Sequence, residues 1–193
     1  MSNGRKLIVF TAPSGSGKTT IVRHLLTKFD DLAFSVSGTT RARRPHERLG
    51  LDYYFLSRET FGIWVAEEAF VEWEEVYHGQ LYGTPGFEIE RLWALGKHVI
   101  FDIDVKGAVS IKTKYPDDSL VVFVKVPTLD ILIERLKSRG TESDTNLQKR
   151  IVRIREELLY ESKFDVVLIN DELENALQRA ERIVAEYTGS NPK

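Results

Sequence analysis

The chain has 193 residues and no cysteine. That removes disulfides and thiolate zinc sites, and gives no argument for an oxidising compartment. No apolar run approaches the about 18 residues that a membrane span requires. The run LIVF at residues 7–10 is also too short for the roughly 7–15-residue core of a signal peptide. Neither sign of charge dominates: the formal net charge is −2, so nothing pulls the whole molecule toward nucleic acid or an anionic membrane, and any electropositive site must be local. The four histidines, His24, His46, His78 and His98, form no spaced constellation, and there is no internal repeat or low-complexity segment. A cytoplasmic protein is the expectation left by these absences. With 42% hydrophobic and 29% charged residues, the composition is that of a globular chain and not a disordered one.

Short apolar runs alternate with longer segments of helical period. Residues 6–11 read as a buried strand. Residues 19–29 read as a helix carrying Ile21, Val22, Leu25, Leu26 and Phe29 on one face. Residues 33–82 are rich in strands and turns (AFSVS, YYFL, FVEWEEV, LYG), with one helix over residues 58–66. Pro85 suits the first turn of a helix running to Leu95, which Gly96 stops. After it, HVIFDID is a strand, 105–114 a helix, SLVVFVKV a continuously apolar strand, and Thr128 caps a helix through Arg139. A charged helix ends near Tyr160, FDVVLIN is the last strand, and residues 171–187 form the last helix. Strand–helix alternation at both ends predicts an α/β fold, a parallel sheet with helices on both faces. The middle stretch breaks that rhythm and reads as an insertion with its own small sheet.

Directly after the first strand stands APSGSGKTT, residues 12–20. Gly15, Gly17, Lys18 and Thr19 keep the order of the phosphate-binding loop G-x-x-x-x-G-K-[ST], with Ala12 where the first glycine stands. Glycines let successive N–H groups turn toward phosphate oxygens, and the helix that follows points its positive end at them. The lysine reaches the outer phosphates, and the threonine hydroxyl can ligate Mg²⁺. Taken singly, a glycine-rich turn with a surface lysine would give the same letters. The strand before and the helix after favour phosphate.

The loop alone does not give the class of enzyme. Arg41 and Arg44 lie three apart in SVSGTTRARRP; Glu72 lies between Val71 and Trp73; Asp102 and Asp104 fall on one side of a strand end by the period of two. Each has a plainer reading: a solvated basic loop, a polar strand face, a pair of helix caps. Together, APSGSGKTT, SVSGTTRARRP, DYYF, VEW, YGT, DIDVKG, RLKSRGTES, QKR and VVLIND resemble the guanylate kinases, in order and over nearly the whole chain.

The resemblance implies a P-loop NTPase-type parallel sheet, a small mixed β/α GMP-binding insertion and a helical lid. In one domain over residues 1–193, the core would be 1–33, 85–138 and 161–193, the GMP-binding region 34–84 and the lid 139–160. It also implies phosphoryl transfer from MgATP to GMP. Residues 12–20 (Ala12, Pro13, Ser14, Gly15, Ser16, Gly17, Lys18, Thr19, Thr20) would hold ATP, with Arg139 and with Asn170 near the adenine. Arg41, Arg44, Tyr53 and Tyr82 would hold the GMP phosphate, and Glu72 the guanine N1–H and 2-amino group. Ser37, Thr84 and Asp104 would complete the base pocket. Lys18, Arg41, Arg139 and Arg150 would act on the transferring group, Thr19 would ligate Mg²⁺ and Asp102 would support it indirectly. The chain departs from the family at Ala12, at Leu81, where an aromatic residue is frequent, and by about one extra residue between Trp73 and Gly79.

The chemistry needed agrees with these residue types. A phosphate oxygen is already an anionic nucleophile, so what is required is cancellation of charge between two polyanions held in line, by Mg²⁺, a lysine and arginines. A non-catalytic guanylate-kinase-like binding module and a kinase for another monophosphate are the alternatives. Lys18 with Thr19 speaks against the first, and Glu72 with Ser37 and Thr84 against the second.

Overall fold

Strand β1 (Leu7–Thr11) is buried along its whole length, as the central strand of a sheet covered on both sides must be. The computed structural model describes residues 4–77, 79–138 and 144–193. Its larger sheet combines β1 with β2 (Leu32–Phe34), β7 (His98–Asp102), β8 (Ser119–Lys125) and β9 (Val166–Ile169), in the order β2-β7-β1-β8-β9. Every pairing in it is parallel.

Alternation along β1 feeds two cores. Ile8 and Phe10 meet Ile21, Val22 and Leu25 of α1 (Lys18–Lys28) and Ala180 and Val184 of α7 (Leu173–Thr188). Leu7 and Val9 face Ile89 and Leu92 of α3 (Gly86–Ala94) and Ala108 and Ile111 of α4 (Val105–Lys114). Phe10 is fully buried, and truncating such a side chain to alanine costs about 3–5 kcal/mol. A third cluster joins Leu132 and Leu136 of α5 (Leu129–Ser138) to Ile154 of α6 (Asp144–Leu158).

The middle stretch forms a second sheet, β4-β3-β6-β5, from β3 (Gly38–Thr39), β4 (Tyr54–Phe55), β5 (Phe70–Tyr77) and β6 (Gln80–Pro85). Helix α2 (Arg58–Ala66) begins where Ser57 Oγ accepts the Thr60 N–H.

Three local expectations shift. AFSVS is not one strand: Leu32–Phe34 joins the larger sheet beside β7, and the chain crosses to the smaller sheet only at Gly38. The strand over HVIFDID stops at Asp102, and Asp104 is instead the N-cap of α4, accepting the Gly107 N–H at 2.9 Å. Pro85 ends β6 and is the N-cap of α3, one residue outside the helix. Among the described residues, no helix is long and apolar enough to cross a membrane.

Candidate active site

Gly17, the N-cap residue just before α1, has φ 90° in the left-handed region, and Gly15 has φ 93°. A Cβ on Gly17 would lie 2.4 Å from Asn170 Nδ2, so the turn needs glycine there for space as well as conformation. No side chain caps this helix and no acidic residue stands in its first turn. Its N–H groups and positive end are therefore left for an anion. Ala12 fits without strain, since the only non-glycine residue with positive φ among the described residues is Glu68.

Residues 12–20 form one wall of a cavity of about 280 Å³, which Asp102, Asp104, Arg150 and Arg153 also line. Asn170, buried, lies beneath the loop and donates from Nδ2 to Ser16 O at 2.7 Å. It steadies the loop's backbone, and it is absent from the residues lining this cavity.

The C-terminal end of β7 delivers Asp102 against the loop. Its Oδ1 lies 2.7 Å from Lys18 Nζ, and its Oδ2 accepts the Thr19 hydroxyl at 2.6 Å. Lys18 also donates to Ile103 O at 2.7 Å. Burial pushes the Asp102 carboxyl up, but the Lys18 ammonium and the Thr19 hydroxyl outweigh it, and the net shift is downward.

A second cavity of about 250 Å³ is lined by Ser37, Tyr53, Glu72, Tyr82, Gly83 and Glu74, and it shares Lys18, Val76, Asp102 and Asp104 with the first. The two cavities thus meet at one lysine and two carboxylates. Glu72 is turned inward and Trp73 outward, the reverse of what hydrophobicity alone suggests; Trp73 is 48% exposed. Glu72 Oε1 accepts the Thr84 hydroxyl at 2.5 Å. Burial pushes the Glu72 carboxyl up to about 7, with the Asp104 charge adding and the Thr84 hydrogen bond opposing.

Arg41 is held, not solvated. Its Nη atoms donate to both Glu47 oxygens, at 3.0 and 2.7 Å, and its Nε to the Tyr82 hydroxyl at 3.2 Å. The guanidinium lies 5.3 Å from the Tyr53 ring centroid, and Tyr53 meets Tyr82 edge-on at 6.0 Å. Glu47, 6% exposed, also accepts the Arg44 backbone N–H at 2.8 Å. The Arg41 hydrogen bonds lead the effects that hold the Glu47 carboxyl down at about 2. The Arg44 side chain is 63% exposed and does not join this cluster beyond a 4.0 Å approach to Glu47. Arg139 lies outside the described residues.

Sequence reasoning missed Glu47, Arg153 and Glu157. The signals were present. Glu47 is the acid three residues after Arg44 in a basic loop, and Arg153 and Glu157 have the i, i+4 spacing of a helical ion pair, found here at 2.8 Å.

The family model described as guanylate kinase matches residues 4–187. A guanylate kinase of Bacteroides fragilis is 42% identical over 184 residues, covering 95% of this chain and 90% of the relative. One of Salinibacter ruber is 44% identical over 186 residues, covering 96% and 98%. The crystal structure of guanylate kinase from Anaplasma phagocytophilum superposes with a TM-score of 0.76 at 26% identity, over 95% of this chain and 86% of that one. With a phosphate loop opening onto a second, carboxylate-floored cavity and relatives matching over nearly its whole length, this chain belongs to the guanylate kinase family.

Proposed function

We propose that the chain transfers the γ-phosphoryl group of ATP to GMP, giving ADP and GDP. The observation that carries this reading is the junction of the two cavities at Lys18, Asp102 and Asp104. A donor phosphate on the uncapped end of α1 and an acceptor phosphate in the second cavity would then be neighbours.

The acceptor oxygen is anionic at neutral pH and needs no general base. Lys18 and the loop amides stabilise the donor's outer phosphates, while Arg150 adds positive charge from α6. Arg41, already aimed by Glu47 and Tyr82, receives the acceptor phosphate with Tyr53 and Arg44. Glu72 accepts from guanine N1–H and the 2-amino group, with Ser37, Thr84 and Asp104 around the ring. Adenine offers N1 as an acceptor and no 2-amino group, which would leave Glu72 unpaired; a site built on such bonds discriminates by up to ~10⁴–10⁵. In this reading residues 34–84 serve the acceptor, 139–160 form the lid and the remainder is the core that carries the ATP loop.

Mg²⁺ fits the donor set. The Thr19 hydroxyl with Asp102 behind it offers hard oxygens, and among the described residues no cluster of three His, Cys, Asp or Glu could form a cage of its own. A Mg²⁺ ion held through substrate phosphates matches that sparse set and would neutralise charge on the donor.

The test is ADP release with MgATP and each of GMP, AMP, CMP and UMP, beside a Lys18→Ala control. Turnover with GMP alone, lost in the control, is expected. GMP binding without turnover would move the chain to a non-catalytic member of the family.

A further inference from the structure

Arg153 has no part in the reaction scheme above, yet it stands where three elements meet. It follows Arg150 by three residues on α6, so the two emerge on one side of the helix, and both line the phosphate-loop cavity. Its Nε donates to Glu157 Oε1 at 2.8 Å within α6. Its Nη1 donates to the carbonyl of Val76 on β5. Its Nη2 lies 3.5 Å from Asp104 Oδ2 at the start of α4. Val76 and Asp104 both line the acceptor cavity as well.

A planar guanidinium presents donors from three nitrogens in one fixed plane, whereas the three donors of an ammonium all radiate from a single atom on a flexible stem. Between two carboxylates and a carbonyl its charge is already balanced, so it is poorly suited to capture a phosphate. What it can do is set distances. Glu157 strengthens this reading: its side chain is 9% exposed, one oxygen holds Arg153, and the other is buried with no hydrogen-bond partner among the described residues. A carboxylate left half-satisfied in the interior costs stability, and without its arginine the cost rises.

We propose that Arg153 is a positioning residue for phosphoryl transfer: it fastens α6 to the acceptor side of the site through Val76 and Asp104, and thereby fixes where Arg150 stands over the phosphate loop. Glu157 orients the guanidinium. The inference rests on the phosphotransfer reading for its consequence in rate, but its structural half stands alone.

The experiment compares the parent chain with Arg153→Ala, Arg153→Lys and Glu157→Gln, measuring kcat, binding of GMP and of a non-hydrolysable ATP analogue, and amide hydrogen exchange. Misplacing a charged group by an ångström costs up to ~10²-fold, so Arg153→Ala should lose ~10- to 100-fold in kcat while each nucleotide alone binds as before. Exchange should quicken in β5 and the C-terminal half of α6 and not in β1 or β8. Arg153→Lys should recover little, because it restores charge without the fork. Glu157→Gln, which keeps an acceptor for Nε, should be milder than either. Unchanged kcat and exchange in Arg153→Ala would overturn the inference. Full rescue by lysine, or a loss confined to GMP affinity, would overturn it too. If Arg153→Ala does not fold, Arg153→Lys carries the same test. A parent chain that does not phosphorylate GMP would sink the functional reading, while the exchange pattern would still decide whether Arg153 holds α6 in place.

Discussion

Lys18 Nζ and Asp102 Oδ1 lie 2.7 Å apart, joining the first turn of α1 to the end of β7, the strand beside β1 in the larger sheet. The carboxylate faces the lysine that would serve the donor phosphates and, through its other oxygen, the Thr19 hydroxyl. Replacing it with a neutral isostere should misplace both. Asp102→Asn is expected to lose roughly 10²-fold in kcat, measured at saturating substrates. The Asp102 carboxyl is shifted below its ordinary value of 3.8. Its stabilising contribution is therefore present above that value and is lost as pH falls through the lower folded value. Melting curves of parent and variant should converge in acid and separate toward neutrality. A constant offset at every pH would count against the pairing.

Glu72 works in the opposite direction. Its carboxyl is raised from 4.5 to about 7, so between these values the native state binds more protons than the unfolded chain. Stability then falls with rising pH across that window, by roughly 3 kcal/mol if the whole shift is realised. Glu72→Gln should raise the Tm of the ligand-free protein above pH 7 and abolish preference for guanine. Because guanine would donate to the ionised form in the proposed complex, guanosine should bind more tightly as pH rises through 7. Using the nucleoside removes the titration of the phosphate, whose second pKa is near 6. Binding that is flat with pH in the parent chain would contradict the buried carboxylate.

Gly17→Ala tests the loop. Both the left-handed φ of 90° and the 2.4 Å approach to Asn170 Nδ2 oppose a Cβ there. The substitution should destabilise by roughly 1–3 kcal/mol and weaken binding of an ATP analogue more than that of GMP. Denaturation and two titrations suffice. Equal weakening of both ligands would point to general unfolding instead.

Glu47→Gln bears on the acceptor phosphate. Arg41 donates to both Glu47 oxygens, so the amide would keep one acceptor, lose the other and remove the charge. KM for GMP is expected to rise several-fold with KM for ATP unchanged, and Glu47→Ala should be worse. A lower KM for GMP would mean that Glu47 competes with the phosphate for Arg41.

Much of this was legible from residue order. The P-loop reads from Gly15, Gly17, Lys18 and Thr19 because backbone conformation and phosphate chemistry both constrain those types locally. Helices α2 and α4 were predicted with the bounds the structure shows, since periodicity and caps are also local signals. The division of AFSVS between two sheets was not legible, because the break depends on pairing with β7, more than sixty positions away in the chain. Glu47 and Arg153 escaped for a similar reason. An acid in a basic loop and an arginine in a charged helix look solvated until folding puts Arg41 or Val76 and Asp104 beside them.

The strands on either side of the inserted sheet, β2 and β7, are hydrogen-bonded neighbours at one edge of the larger sheet. The chain therefore leaves the core and returns to it one strand spacing away, and the excursion is one long crossover between parallel strands, with α3 packing on the larger sheet before β7 begins. The pairings of β1 with β7 and β8 involve no residue of the inserted sheet. Evolution or an engineer can then exchange the inserted sheet, which in the proposed function reads the acceptor, for one suited to a different monophosphate, or lengthen it, while the larger sheet keeps its own folding instructions.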